Sequence, residues 1–371
     1  MIVVFYDINL LNLKKYIGDI VCRLVEDKDV SVTLLYDEFS QEGSDFYKDK
    51  NCRIIRNKAV SYASIKKLLE TEKPDLFMVN AQRLSDTAFV TVAKKMGIKT
   101  GMIQHGMYIP FLKRENFFLV KKILKTIKYF LYSQVIASAL NKNGIDVFRR
   151  FFSTFVKGRI YKYAIDFTNE INTDFVLVYG EYWKQYHHDI FGYSFESQHI
   201  IGYHELNRIP VILSQPFEKD AICYIAQTLV EDGRIDRKIM EDFLKHLSLM
   251  SEGKTVHVKL HPRSDISLYQ YQNFVLSKQD IPNVGTYLGH YSSMVALAGY
   301  LKGKLVLYEL HGHDIPVYFK KIACVANNYN DLEKILKEIA DSSSADRDIS
   351  YYFADGYNTE KVVALIKSQL D

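Results

Sequence analysis

The sequence has no pair of cysteines at metal-ligand or redox spacing. Cys22, Cys52, Cys223 and Cys324 are scattered and no CxxC occurs, which argues against zinc sites and thiol–disulfide motifs. Four unpaired thiols fit a reducing cytoplasm. No stretch reaches the ~18 uninterrupted apolar residues of a membrane span. MIVVFYDINLLN carries no basic residue ahead of its apolar run, so a signal peptide is not expected. A complete GxGxxG fingerprint and a GxxxxGK[ST] loop are both missing, which disfavours ordinary dinucleotide or P-loop binding. There is no Gly/Ser tract and no internal repeat. The formal net charge is only +4, too small to imply nucleic acid as a property of the whole chain.

What is present is an alternation of apolar runs and helical patterns. The 371 residues suggest two domains at ~100–200 residues each. Ile2–Tyr6, Val30–Tyr36, Cys52–Ile55, Leu76–Asn80, Thr100–Gln104, Phe175–Tyr179 and His199–Ile201 read as strands. Leu10–Glu26, Ser61–Glu72 and Thr87–Met96 read as helices between them. This is the signature of a doubly wound α/β domain. Asn207-Arg208 reads as a linker, and the pattern then restarts. Strands are expected at Val211–Ser214, Thr255–Leu260, Asn283–Tyr287 and Lys304–Glu309. Helices are expected at Lys219–Val230, Asp236–Leu249, Ser292–Leu301, Tyr329–Ala340 and Thr359–Leu370. The expected domains are 1–206 and 207–371, with the last helix able to pack back on the first.

Residues 113–162 differ. Lys113, Arg114, Lys121, Lys122, Lys125, Lys128, Lys142, Arg149, Arg150, Lys157, Arg159 and Lys162 face only Glu115 and Asp146, with Phe and Ile interleaved. The pattern predicts two helices split near Asn141–Gly144. A basic amphipathic segment of this kind suits an anionic membrane surface. No recognised module surrounds it, so nucleic acid is not expected. A homodimer is compatible with the sequence.

Three polar motifs sit at the edges of apolar segments in the second half. In Glu231-Asp232-Gly233, one carboxylate, taken as Asp232, can serve as a general base, with Glu231 orienting an acceptor and Gly233 loosening the turn. In His261-Pro262-Arg263, Pro262 ends a strand and biases His261 to an extended backbone. The imidazole and guanidinium can then neutralise a phosphate, with Lys259 one pleat away. Ser292-Ser293 open a predicted helix after Gly289-His290-Tyr291, a ready phosphate site with His290 as a further donor. Glu309, at a strand end, can accept from ribose hydroxyls. Gln104, His105 and Gly106 end a strand of the first half and are expected to line an acceptor site. His311-Gly312-His313-Asp314, Asp27-Lys28-Asp29 and Asp346-Arg347-Asp348 are poor metal signals; no metal is expected.

The order acidic-acidic-Gly, His-Pro, Ser-Ser resembles bacterial GT-B sialyltransferases of the lipooligosaccharide and polysialic-acid branches. The likeness is densest from Leu213-Ser214-Gln215-Pro216 through Glu231-Asp232-Gly233 to Lys259-Leu260-His261-Pro262-Arg263. It implies two Rossmann-like domains facing across a cleft, a CMP-activated nonulosonic acid donor, inversion at the anomeric carbon, and no metal or cofactor. It also implies Asp232 as base, His261 as donor to the leaving CMP phosphate, and Ser292 and Ser293 as phosphate ligands. The segment before the acidic motif is longer than in the lipooligosaccharide branch. Transferases that polymerise CDP-glycerol share a Gln-His-Gly turn, a His-Pro strand end and a serine-rich helix start, and capsule Kdo transferases are also CMP-dependent. A non-catalytic protein retaining the same fold is the alternative of another class. The expected setting is peripheral, on the inner face of the cytoplasmic membrane, with a surface glycan as acceptor.

Overall fold

A computed structural model describes residues 1–40, 42–107, 119–156, 166–310, 314–338 and 349–370. The chain forms two compact units. The first comprises Met1–Met107, Leu119–His204 and Ala354–Asp371; the second contains Glu205–Phe353.

The first unit is built on a seven-stranded parallel sheet. Its strands are β1 (Ile2–Asp7), β2 (Ser31–Tyr36), β3 (Cys52–Arg56), β4 (Leu76–Val79), β5 (Lys99–Ile103), β6 (Phe175–Val178) and β7 (Gln198–Ile200). They lie in the order β3-β2-β1-β4-β5-β6-β7. Val3–Asp7 and all of β4 and β6 are buried, which is why these strands read as unbroken apolar runs. The helices are α1 (Leu10–Leu24), α2 (Tyr62–Glu72), α3 (Leu84–Lys95), α4 (Leu119–Leu140), α5 (Gly144–Val156), α6 (Thr168–Ile171) and α7 (Glu181–Phe191). In α1, the Asn9 side chain accepts from the Asn12 N–H, and Leu10, Leu13, Ile17, Ile20, Val21 and Leu24 form its buried stripe. The predicted break in the basic segment falls at Asn141, whose φ is +55°, a left-handed residue of the kind that ends helices.

The second unit opens with α8 (Ile209–Leu213) and holds a six-stranded parallel sheet. Its strands are β8 (Glu218–Ile225), β9 (Val256–Lys259), β10 (Phe274–Ser277), β11 (Val284–Gly289), β12 (Lys304–Tyr308) and β13 (Cys324–Ala326). The order is β10-β9-β8-β11-β12-β13. Its other helices are α9 (Arg237–Met250), α10 (Met294–Gly299), α11 (Val317–Lys320), α12 (Tyr329–Lys337) and α13 (Ile349–Tyr352). Asp236 caps α9 by accepting from the Lys238 N–H. The last helix, α14 (Thr359–Ser368), belongs to the first unit; its Val362, Val363 and Ile366 share the core of α1 and β1.

Two expected elements are of the wrong type. Val211–Ser214 is not a strand: residues 209–213 are helical, with Pro210 in the first turn and Val211 and Leu213 exposed. Lys219–Val230 is not a helix: Glu218–Ile225 is the central strand β8, and Ala221–Ile225 are buried. A short apolar run buried on both faces carries no period that separates strand from helix. β8 pairs with β11 through a register shift at Gly285, where any Cβ would lie 1.8 Å from the Lys219 carbonyl oxygen.

Each sheet reverses its strand order once, between β1 and β4 in the first unit and between β8 and β11 in the second. Ligands of open α/β sheets bind outside the carboxyl ends of the strands at such switch points.

Candidate functional site

With β8 a strand, Glu231-Asp232-Gly233 lies on the loop leaving the carboxyl end of β8. His261-Pro262-Arg263 leaves β9, His290–Ser293 leaves β11, and Glu309 follows β12. The sheet is parallel throughout, so these loops emerge along one edge.

The loops after β8 and β9 are joined by the acidic pair. Asp232 Oδ1 accepts from Arg263 Nη1 at 3.0 Å, and Asp232 Oδ2 from the Thr228 hydroxyl at 3.0 Å. Arg263 Nη2 also reaches Thr228 Oγ1 at 3.3 Å, and Arg234 stands 3.8 Å from Asp232. Partial burial would raise the Asp232 pKa. Hydrogen bonds from Arg263 and Thr228, with the charges of Arg263 and Arg234, outweigh it and hold the carboxyl below its ordinary range. Glu231 Oε1 accepts the Asp265 N–H at 2.6 Å, while its Oε2 is buried with no hydrogen-bond partner among the described residues. Asp265 is itself pulled down to about 2, by the Ser267 hydroxyl and Arg237. Gly233 adopts φ +63° with open space around it, so the backbone and not crowding requires glycine there.

His261 is exposed, and the Ser264 Oγ accepts its backbone N–H. The Arg263 N–H donates to His261 Nδ1 at 3.2 Å, which leaves the proton of the neutral ring on Nε2. Lys259 turns elsewhere: its ammonium donates to the carbonyls of Lys278 (2.9 Å) and Leu260 (3.3 Å).

The loops after β8 and β11 are joined across the switch point by Gln227. Its Nε2 donates to the Tyr291 carbonyl at 2.9 Å and its Oε1 accepts the Tyr291 N–H at 3.0 Å. This two-way clamp fixes the backbone just before Ser292 and Ser293. Ser292 Oγ accepts the Met294 N–H at 3.3 Å; Ser293, at the start of α10, makes no side-chain capping bond. His290 is not placed as the expected phosphate donor. It is fully buried, its Nδ1 bound to the Tyr308 carbonyl at 2.8 Å and its Nε2 to the Tyr224 hydroxyl at 3.0 Å, so both nitrogens are spent in the core. Glu309 is ion-paired with Lys320 at 2.8 Å.

In the first unit the expected acceptor residues divide. Gln104 is buried and fully used: Nε2 donates to the Gly106 carbonyl (2.9 Å), Oε1 accepts the Tyr179 N–H (3.1 Å), and its carbonyl accepts the Tyr179 hydroxyl (2.6 Å). It shapes the turn, in which Gly106 has φ +57°, and does not line an open surface. His105 lies against Tyr16, ring centroids 4.1 Å apart, with Nδ1 buried and lacking a hydrogen-bond partner among the described residues. Burial lowers its pKa to about 4, Asp7 opposing and Arg83 and Lys15 assisting. Arg83 fills this unit's switch point, donating Nη1 and Nη2 to Asp7 (3.2 and 2.8 Å) and Nε to Asp86 (2.8 Å).

Sequence reasoning missed Gln227, Thr228, Asp7 and Arg83. Each stands at or just past the carboxyl end of a strand, a position that marks candidates once strands are correctly placed. Among the described residues no cluster of three or more His, Cys, Asp or Glu is arranged to hold a metal ion. Asp27-Lys28-Asp29 forms no such cluster; His311-Gly312-His313 and Asp346-Arg347-Asp348 fall outside the described residues.

No protein-family model matches this sequence, and no curated protein matches it. Solved structures do resemble it along its whole length. A glycotransferase of kitacinnamycin superposes with a TM-score of 0.59 at 12% identity, covering 100% of this chain and 99% of its own. The UDP-GlcNAc 2-epimerase of Neisseria meningitidis bound to UDP-GlcNAc gives 0.55 at 11%, covering 99% and 100%. The wall teichoic acid polymerase TagF gives 0.52 at 14%, covering 100% and 89%. At these identities the likeness speaks for architecture, and the two parallel α/β units of this chain have the GT-B fold.

Proposed function

We propose that the protein is an inverting, metal-independent glycosyltransferase that takes its donor nucleotide at the switch point of the second unit. The observation that carries this is the Gln227–Tyr291 clamp. It ties the carboxylate-bearing loop after β8 to the serine-bearing loop after β11, so that the carboxylate and hydroxyls proposed as base and phosphate ligands stand on loops flanking the switch point, where α/β sheets bind ligands. Structural relatives that bind UDP-GlcNAc or are glycotransferases favour a nucleotide sugar. The motif order favours CMP with a sialic-acid-type sugar. The acceptor is a bacterial surface glycan, lipid-linked or lipid A-linked, met at the inner face of the cytoplasmic membrane.

In this reading the acceptor hydroxyl oxygen attacks the anomeric carbon as the bond to the CMP phosphate oxygen breaks. The hydroxyl proton passes to Asp232. A carboxylate held ionised by Arg263 is in the receiving state at neutral pH, and it accepts as bond formation acidifies the hydroxyl. His261 Nε2–H donates to the leaving phosphate, and the Ser292 and Ser293 hydroxyls hold it. Pro262 and Glu309 shape the donor side, and Lys259 is not part of it, its ammonium being held on the Lys278 and Leu260 carbonyls.

A second reading, transfer of a polyol phosphate from a CDP-activated donor, draws on the whole-chain likeness to the wall teichoic acid polymerase. Thermal stabilisation by CMP, CDP, UDP and GDP separates the two, because a ligand that binds only the folded state raises apparent stability. Preference for CMP supports the sialic-acid-type donor, and preference for CDP promotes the polyol-phosphate reading. Preference for UDP or GDP rejects both donors. Absence of stabilisation by all four, with no donor hydrolysis, would leave a non-catalytic binding protein.

A further inference from the structure

Helix α4 is two helices in character. In its second half Tyr132, Ser133, Val135, Ile136, Ala137 and Ala139 are buried and form the face that packs within the unit. In its first half Ile123, Leu124, Ile127, Phe130 and Leu131 are 38–56% exposed. At 3.6 residues per turn these side chains span an arc of about 120°, on the side of the helix roughly opposite the packing face. The exposed stripe is therefore a separate surface, not the core face running past the end of the fold. Its apolar character continues onto α5, where the Phe130 ring meets Phe148 edge-on at 5.4 Å and Ile145 is 56% exposed. A contiguous exposed patch of this kind marks an interaction site.

The charges around it identify the partner. Lys128 lies exposed at the edge of the stripe. Between residues 123 and 153, Lys125, Lys128, Lys142, Arg149 and Arg150 stand against Asp146 alone. Where these cations meet carboxylates, as Arg149 does Asp146 (3.8 Å) and Lys142 does Glu170 (4.0 Å), both partners are exposed, so such pairs open at little cost. A second copy docked through the same patch would bring like charges together. An anionic bilayer neutralises them while its acyl boundary takes the apolar stripe.

We propose that α4 and α5 form an in-plane docking surface for an anionic lipid bilayer, with Ile123, Leu124, Ile127, Phe130 and Leu131 immersed and Lys128 and Arg149 at the headgroups. Among the described residues no helix is long and apolar enough to cross a membrane, so the contact lies on the bilayer. The inference deepens the reading of a lipid-linked acceptor by naming the surface that reaches it.

Co-sedimentation of the full chain with vesicles of phosphatidylcholine, or of phosphatidylcholine with phosphatidylglycerol, tests this without any nucleotide. Failure here therefore leaves the donor reading standing, and failure of the donor reading leaves this one standing. The parent should bind the anionic vesicles at least tenfold more tightly, and less tightly as salt is raised. Leu124→Gln with Ile127→Gln should lose at least tenfold, and Lys128→Glu with Arg149→Glu should lose the preference for anionic lipid; circular dichroism melts confirm that both fold. Parent protein that stays in the supernatant, or variants that bind like the parent, would overturn the proposal. So would a sedimenting dimer that the Leu124/Ile127 variant dissolves, which would make the stripe a self-interface.

Discussion

Arg263 Nη1 meets Asp232 Oδ1 at 3.0 Å, joining the loop after β9 to the loop after β8. The pair places the proposed base and its counter-ion on neighbouring loops of one strand edge. Asp232→Asn removes the acceptor of the proton and should lower turnover by about 10²–10⁴-fold. The fold should survive, because the pair is partly exposed, with Arg263 62% accessible, and such pairs contribute at most about 1 kcal/mol. Turnover unchanged in Asp232→Asn would strip it of the role.

The same pair sets a pH signature. The folded carboxyl is held below its ordinary value, so the base stays ionised through the mildly acidic range and does not limit kcat/KM there. Arg263→Gln removes the guanidinium whose hydrogen bond and charge oppose burial, and the Asp232 pKa should rise. The acid limb of kcat/KM should then move to higher pH in the variant. A limb that stays in place would mean that another group is the base, with Glu231 the next to test.

His261 should be needed for departure of the nucleotide. Its exposed ring and the N–H of Arg263 on Nδ1 leave Nε2 as the donor. His261→Ala should lower kcat more than it raises KM, by about 10²-fold or more, with little change in melting temperature. A purely KM effect would make His261 a binding group only.

Gln227 holds two hydrogen bonds to Tyr291, and Gln227→Leu leaves a backbone donor and acceptor without their partners. That should cost about 1–3 kcal/mol in stability and weaken nucleotide stabilisation of the fold, because the Ser292–Ser293 loop loses its anchor. Nucleotide affinity equal to the parent's would show that the clamp is structural and that phosphate binds elsewhere.

How much of this was legible in the sequence turned on strand placement. Thr255–Leu260 reads correctly as a strand because Val256 and Val258 alternate inward and Pro262 ends it, so His261 and Arg263 were found at a strand end. Ala221–Ile225 offers no alternation, since β8 is buried on both faces in the middle of its sheet. Taken for a helix, it hid the fact that Gln227 and Thr228 stand at a switch point. The core placement of His290 is hidden for the reciprocal reason. Glycine and serine around it suggest an open loop, but its two ring nitrogens satisfy Tyr224 and a strand-end carbonyl, long-range pairings that no local pattern announces. Asp7 and Arg83 are 76 residues apart, and only the parallel pairing of β1 with β4 brings them together.

His105 supplies a stability test confined to the first unit. Its folded pKa is lowered to about 4, chiefly by burial, against about 6.5 in the unfolded chain. Between those values the unfolded state binds a proton that the folded state refuses, so stability falls as pH is lowered, by about 1.4 kcal/mol per unit at most. Asp86 acts the other way: burial raises its pKa despite Arg83, so the folded state holds that proton more tightly as acid is added. The comparison must therefore be between the parent and His105→Gln, which keeps Asp86 in both. Urea midpoints measured from pH 7.5 to 4.5 should decline more steeply for the parent, and the two curves should converge or cross toward the acid end. Parallel curves would mean that the ring titrates in the fold as it does in the unfolded chain, and a parent curve that declines less steeply would mean an imidazole protonated in the fold; either outcome would overturn the desolvated, neutral ring beside Tyr16.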